Sequence, residues 1–108
     1  MAVLARLVQE YHIDQREKFY EVEAKFDDAL RAKPYFREGR RIEPIASPHP
    51  ANTMIWEATF ASLAEAEAAF AALDIDPDHV RLLAEQLPSF TRRWVEYYGV
   101  IEADGTSR

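Results

Sequence analysis

The stretch NTMIWEATFASLAEAEAAFAAL, residues 52–73, changes its hydrophobic period in the middle. Up to Phe60 the large apolar side chains favour alternate positions, Met54, Trp56 and Phe60. From Leu63 they recur at helical spacing, as Leu63, Ala66, Phe70 and Leu73. A period of two marks a strand with one face covered, and a period near 3.6 marks a helix with one face covered. Ser62 stands at the switch with Glu65 three residues on, a capping box that satisfies the first free amides of a helix. A strand that runs straight into a capped helix lets the helix fold back over the strand's apolar face. That arrangement points to a sheet layered with helices.

The rest of the chain extends this pattern. Residues 2–13 alternate as a strand, with Val3, Ala5, Leu7, Tyr11 and Ile13 on one parity and Gln9 its only break. Asp14 and Glu17 form a capping pattern that predicts a helix over 14–33, with the apolar stripe Phe19, Val22, Phe26, Ala29 and Leu30. Pro34 ends it, because proline disfavours helical geometry in the residue before it. Residues 36–46 read as a second strand in which Gly39 and Pro44 mark a bulge or an edge. A proline-rich loop, 47–52, leads to a strand over 53–61 and a helix over 62–73. Asp76 as N-cap and Pro77 as first residue open a further helix over 77–87, with the stripe Val80, Leu83, Ala84 and Leu87. A β-rich segment, 90–101, closes the pattern.

The order β-α-β-β-α-β, with a second helix before the last strand, predicts an α+β, ferredoxin-like domain with an antiparallel four-stranded sheet and helices on one face. One domain over 1–101 and a flexible tail over 102–108 are expected from the loss of apolar content at the end.

Composition narrows the function. A net charge of -6 and a pI near 5.0 argue against a nucleic-acid partner, which needs a basic field. The pairs Arg40-Arg41 and Arg92-Arg93 then read as edge or rim charges. No cysteine is present, which excludes disulfides and thiolate chemistry and fits a cytoplasmic location. The first twelve residues are too interrupted by charge for a signal peptide or a membrane span, so no membrane partner is expected. DIDPDHVRLLAE spaces Asp74, Asp76, Asp78 and Glu85 like a calcium loop, but His79 stands where the loop needs glycine and Pro77 starts a helix inside it. No metal site and no cofactor is expected.

The two faces of the sheet differ. The helix-covered face takes Val3, Ala5, Leu7 and Tyr11, then Met54, Trp56, Ala58 and Phe60, then Val95, Tyr97 and Ile101. The open face takes Leu4, Arg6, Val8 and Glu10, then Ile55, Glu57 and Thr59, then Trp94, Glu96 and Tyr98. This second set is too apolar for a wet surface. A homodimer interface including Arg6, Val8, Ile55, Glu57 and Trp94 is therefore expected.

MIWEATFASLAEAEAAFAAL, followed at a distance by WVEYYGVI, resembles the dimeric α/β barrel superfamily, in particular its NIPSNAP-like and antibiotic biosynthesis monooxygenase-like members. The resemblance implies two ferredoxin-like subunits packed sheet to sheet, each with a ligand cavity between sheet and helices. It also implies a small-molecule-binding protein, a cofactor-independent oxygenase or isomerase acting on an aromatic or polyketide-like compound. Some relatives degrade haem, so a haem site is a further reading. The alternative is a non-enzymatic structural or regulatory homodimer whose aromatics fill the core.

Within that frame Tyr11, Trp56 and Tyr97 are the candidate ligand-binding residues, since they share the covered face. His12 reads as a rim residue and His49 as a loop residue between prolines. His79, in the first turn of its helix, is the candidate catalytic base; an exposed first-turn residue is its plainer reading.

Overall fold

The computed structural model describes residues 1–101. The expected tail, 102–108, lies outside the described residues. The elements are β1 (Val3–Tyr11), α1 (Arg16–Leu30), β2 (Arg40–Ile42), β3 (Thr53–Phe60), α2 (Leu63–Ile75), α3 (Pro77–Gln86) and β4 (Phe90–Gly99). The sheet is antiparallel throughout, in the order β2-β3-β1-β4, and the fold is α+β and ferredoxin-like. Among the described residues no helix is long and apolar enough to cross a membrane.

The alternation read from the sequence sets the register. Leu7 stands opposite Trp56 on β3 and opposite Val95 on β4, and Ala5 stands opposite Ala58 and Tyr97. Facing side chains in a sheet repeat every second residue, so one parity on all three strands meets the helices. Ser62 caps α2 as expected, accepting from the Glu65 amide at 3.1 Å.

Several expectations need correction. β2 keeps only three residues of the expected 36–46: at its start Phe36 donates its amide back to the Lys33 carbonyl in a turn, and beyond its end Pro44 has no amide to extend the ladder with β3. Asp14 does not cap α1: it lies inside a 3₁₀ turn, Ile13–Gln15, and Gln15 takes the N-cap position without a side-chain bond. α3 buries Leu82 and Gln86 rather than the stripe Val80, Leu83, Ala84 and Leu87, and Val80 and Leu87 stand exposed. β4 ends at Gly99, so Ile101 falls beyond the covered face and is exposed.

Three apolar clusters hold the layers together. Ala5, Ala58, Phe60 and Ala66 join α2 to the sheet. Val22, Phe26, Leu30 and Leu82 join α1 to α3. Tyr11, Phe19 and Met54 join the start of α1 to β1 and β3. Each large apolar side chain sealed this way contributes about 1.5–3 kcal/mol over leaving it exposed.

The open face is partly closed by the chain itself. Val8, Ile55 and Glu57 are buried there. The loop before β3 is tied down by Tyr11, whose amide donates to the Asn52 carbonyl at 3.0 Å, and by Asn52 Nδ2, which donates to the Tyr11 carbonyl at 2.6 Å. It brings the His49 ring to 6.0 Å from Trp94. Glu57 accepts from Arg6 Nε at 2.8 Å and from Arg40 Nε at 2.6 Å.

Candidate functional site

A cavity of about 280 Å³ lies between the covered face of the sheet and the three helices. Its floor is Leu7 and Gln9 from β1, Trp56 from β3, and Arg93, Val95 and Tyr97 from β4. Phe26 and Leu30 of α1, Phe70 and Leu73 of α2, and His79 and Leu83 of α3 form the roof. Tyr35, Phe36 and Arg37 close one side. The volume is near the low end of the usual range for ligand sites, roughly 300–1,000 Å³, and suits a small ring system better than an extended polycycle.

His79 owes its place to the cap of α3. Asp76, which is buried, accepts from the Asp78 amide at 2.9 Å and the His79 amide at 3.0 Å. The same carboxylate takes Lys33 Nζ at 2.8 Å and the Tyr35 hydroxyl. The bonds from Lys33 and Tyr35 hold the Asp76 carboxyl well below the usual range. The sequence spacing that resembled a calcium loop is thus used as a helix cap. Among the described residues no group of three or more candidate ligands comes together for a metal.

The His79 ring packs 5.4 Å from the Phe26 ring, and its Nδ1 is sealed with no hydrogen-bond partner. Burial lowers its pKa below 6.5, and the positive charge of Arg93 lowers it further. The imidazole is therefore neutral at pH 7. With Nδ1 sealed, Nε2 is the nitrogen that a ligand can meet.

Trp56 and Tyr97 flank Phe70, each with its ring centroid 6.3 Å from that of Phe70 and edge to face. Burial raises the pKa of the Tyr97 hydroxyl, which stays protonated at neutral pH. The structure thus brings Trp56, Tyr97 and His79 to one cavity. Tyr11 is not with them. It is sealed between α1 and β1, stacked on Phe19 at 4.8 Å, with its hydroxyl bonded to Arg16. The reason is its position at the end of β1, past a register shift, directly beneath the first turns of α1.

The cavity also has a polar lining, made of residues outside the candidate set. Glu23 of α1 accepts from Arg41 Nε at 2.7 Å and from Gln86 Nε2 at 2.8 Å. Asp27 takes two further bonds from Arg41, at 2.9 and 3.2 Å. Gln9 and Arg93 face each other across β1 and β4 on the covered side. Arg41 is therefore drawn inward rather than being a rim charge, while Arg93 lines the cavity from the covered side and stays exposed at its rim. The signal was present: Gln9 breaks the apolar parity of β1, and Arg93 shares the parity of Val95 and Tyr97.

On the other face, Arg6, Val8, Ile55, Glu57 and Trp94 line up as expected across β1, β3 and β4. Val8, Ile55 and Glu57 are already shielded within the chain, while Arg6 and Trp94 stay partly open beside the exposed Tyr98.

No family model and no curated protein matches the sequence. Solved structures match it in fold. A NIPSNAP family protein from Agrobacterium tumefaciens superposes with a TM-score of 0.78 at 9% identity, over 95% of this chain and 96% of that one. An uncharacterised NIPSNAP domain protein from Burkholderia xenovorans gives 0.73 at 14% identity, over 95% and 96%. A protein named as a candidate antibiotic biosynthesis monooxygenase from Nitrosomonas europaea gives 0.67 at 11% identity, over 94% and 92%. The chain therefore has the fold of NIPSNAP and antibiotic biosynthesis monooxygenase-like proteins, the fold that the resemblance implied. At these identities the likeness is one of fold.

Proposed function

We propose that this chain binds a small aromatic or polyketide-like molecule in the cavity and acts on it, as a homodimer, as a cofactor-independent oxygenase or isomerase. The observation that carries this reading is His79: a neutral imidazole lining the same cavity as Trp56 and Tyr97, with one nitrogen left for a ligand. An unpaired, desolvated histidine is costly in a core and useful in a site.

Both reaction types begin alike. Nε2 of His79 takes a proton from an acidic C–H or O–H of the bound ring system, leaving a delocalised anion. Return of the proton at another carbon isomerises the ligand; attack of the anion on dioxygen, the co-substrate, gives a peroxide that takes the proton back from His79, and breaking of its O–O bond with loss of water leaves a quinone. Trp56 and Phe70 hold the ring plane, and the Tyr97 hydroxyl orients a ligand oxygen.

The competing expectation, a non-enzymatic homodimer, required a filled core, and the cavity weighs against that. A thermal-shift screen of hydroxylated naphthalenes and naphthoquinones tests the reading, since a ligand of the native state raises Tm. A hit whose turnover is lost in His79→Ala and whose binding weakens in Trp56→Phe supports it. A screen in which no compound raises Tm, or a hit indifferent to both substitutions, refutes it.

A further inference from the structure

We propose that Arg93, with Gln9 beside it, forms an anion subsite, so that the cavity takes an aromatic carboxylic acid rather than a neutral ring compound. This rests on the reading of the cavity as a ligand site and names its ligand class.

The charges around the cavity are settled at every arginine but one. Arg41 is bonded to Glu23 and Asp27, and Arg37 is paired with Glu65. Arg93, exposed at the rim of the cavity that it lines, has no ion pair and no side-chain hydrogen bond among the described residues. Its neighbour Arg92, turned to the open face, pairs with Glu10 at 2.5 Å. The two adjacent arginines thus differ in a telling way: the outward one is neutralised, and the one that faces the cavity is left free.

Arg93 is also held in place. Its Cζ lies 5.6 Å from the centre of the Phe90 ring, which supports the flat face of the guanidinium by a cation–π contact. Its edge remains for a ligand. Gln9, its partner across the strands, is 2% exposed, and its Nε2 has only a 4.0 Å contact with the Met54 sulfur. A buried amide so weakly engaged has donor capacity to spare. Two carboxylates of the lining are felt through space by Arg93 without an ion pair: Asp74, exposed at the mouth, and Glu23, which is already bonded to Arg41. A fixed guanidinium fork is matched best by a planar carboxylate, which accepts two parallel N–H bonds. The apolar walls of Leu7, Val95 and Phe70 select an acid borne on an aromatic ring.

Paired probes of equal shape test this. 2-Naphthoate and 2-naphthamide are titrated against the unmodified protein, Arg93→Gln and Arg93→Lys, with binding read by quenching of tryptophan fluorescence and by calorimetry. The expected result is that the unmodified protein prefers naphthoate by about tenfold or more, as a charge-assisted bond predicts. Arg93→Gln abolishes that preference, and Arg93→Lys keeps part of it. Equal binding of the two probes to the unmodified protein, or an undiminished preference in Arg93→Gln, overturns the anion subsite and leaves the cavity reading standing. Binding of neither probe overturns both.

Discussion

The backbone of Gly39 runs against the indole of Trp56 so closely that a β-carbon there would lie 2.4 Å from Cε2 and 2.6 Å from Nε1. Only glycine allows the approach, and the indole is held back against the edge of the sheet by it.

Gly39→Ala therefore forces Trp56 away from β2. Overpacking of this kind costs about 1–3 kcal/mol. The expected outcome is a lower urea midpoint, a shifted tryptophan emission, and weaker binding of 2-naphthamide. Unchanged emission and unchanged affinity would show that Gly39 does not set the indole.

His79 gives the protein a pH dependence whose sign can be stated. Its folded pKa lies below 6.5, through burial first and then Arg93, against the opposing pull of Asp74, Asp76 and Glu23. The unfolded chain thus binds a proton that the folded chain resists. The stability this gives is present above the unfolded value and is lost as pH falls from about 7 through the folded pKa. Urea titrations should show unmodified protein losing more stability between about pH 7 and 5 than His79→Gln. Parallel curves would put the titration elsewhere.

Glu57 anchors the open face. Burial works to raise its pKa, but the bonds from Arg40 and Arg6 prevail and hold it below 4.5. Glu57→Gln should cost about 1–2 kcal/mol at pH 7, less than a fully buried pair because both arginines reach solvent. The pair's contribution is present above pH 4.5 and is lost as pH falls through the folded pKa, so the gap between variant and unmodified protein should close in acid. A gap that persists at low pH would mean packing, not charge.

Trp94 is the residue on which the homodimer turns, because Val8 and Ile55 are already sealed inside one chain. Light scattering at micromolar concentration should give a dimer for the unmodified protein and half that mass for Trp94→Glu, with helix and strand signals intact. A monomeric unmodified protein would remove the dimer from the proposal.

How much of this was legible beforehand differs from element to element. Ser62 and the alternation in β1, β3 and β4 are local signals, so the topology and the facing of Trp56 and Tyr97 followed from them. The face of α3 did not, because Gln86 is buried by reaching the Phe19 carbonyl at 3.2 Å and Glu23 on α1, partners that no local pattern reveals. Arg93 was missed for a simpler reason. Arg92-Arg93 looks like one charged pair in the sequence, although neighbours on a strand point to opposite sides. Tyr11 shared the right parity, but facing alone does not say which helix covers a residue.

Asp76 ties the exit of α1 to the first turn of α3, and the segment it anchors through Lys33 and Tyr35 also walls the cavity. One carboxylate thus sets both the candidate base and the stretch of cavity wall that Tyr35 begins. Positions 33, 35 and 79 are consequently not free to drift apart over evolutionary time. A change at Lys33, which does not line the cavity, would be inherited as a change in the placing of His79. Lineages that alter the chemistry of this cavity are expected to carry paired substitutions at these sites rather than single ones.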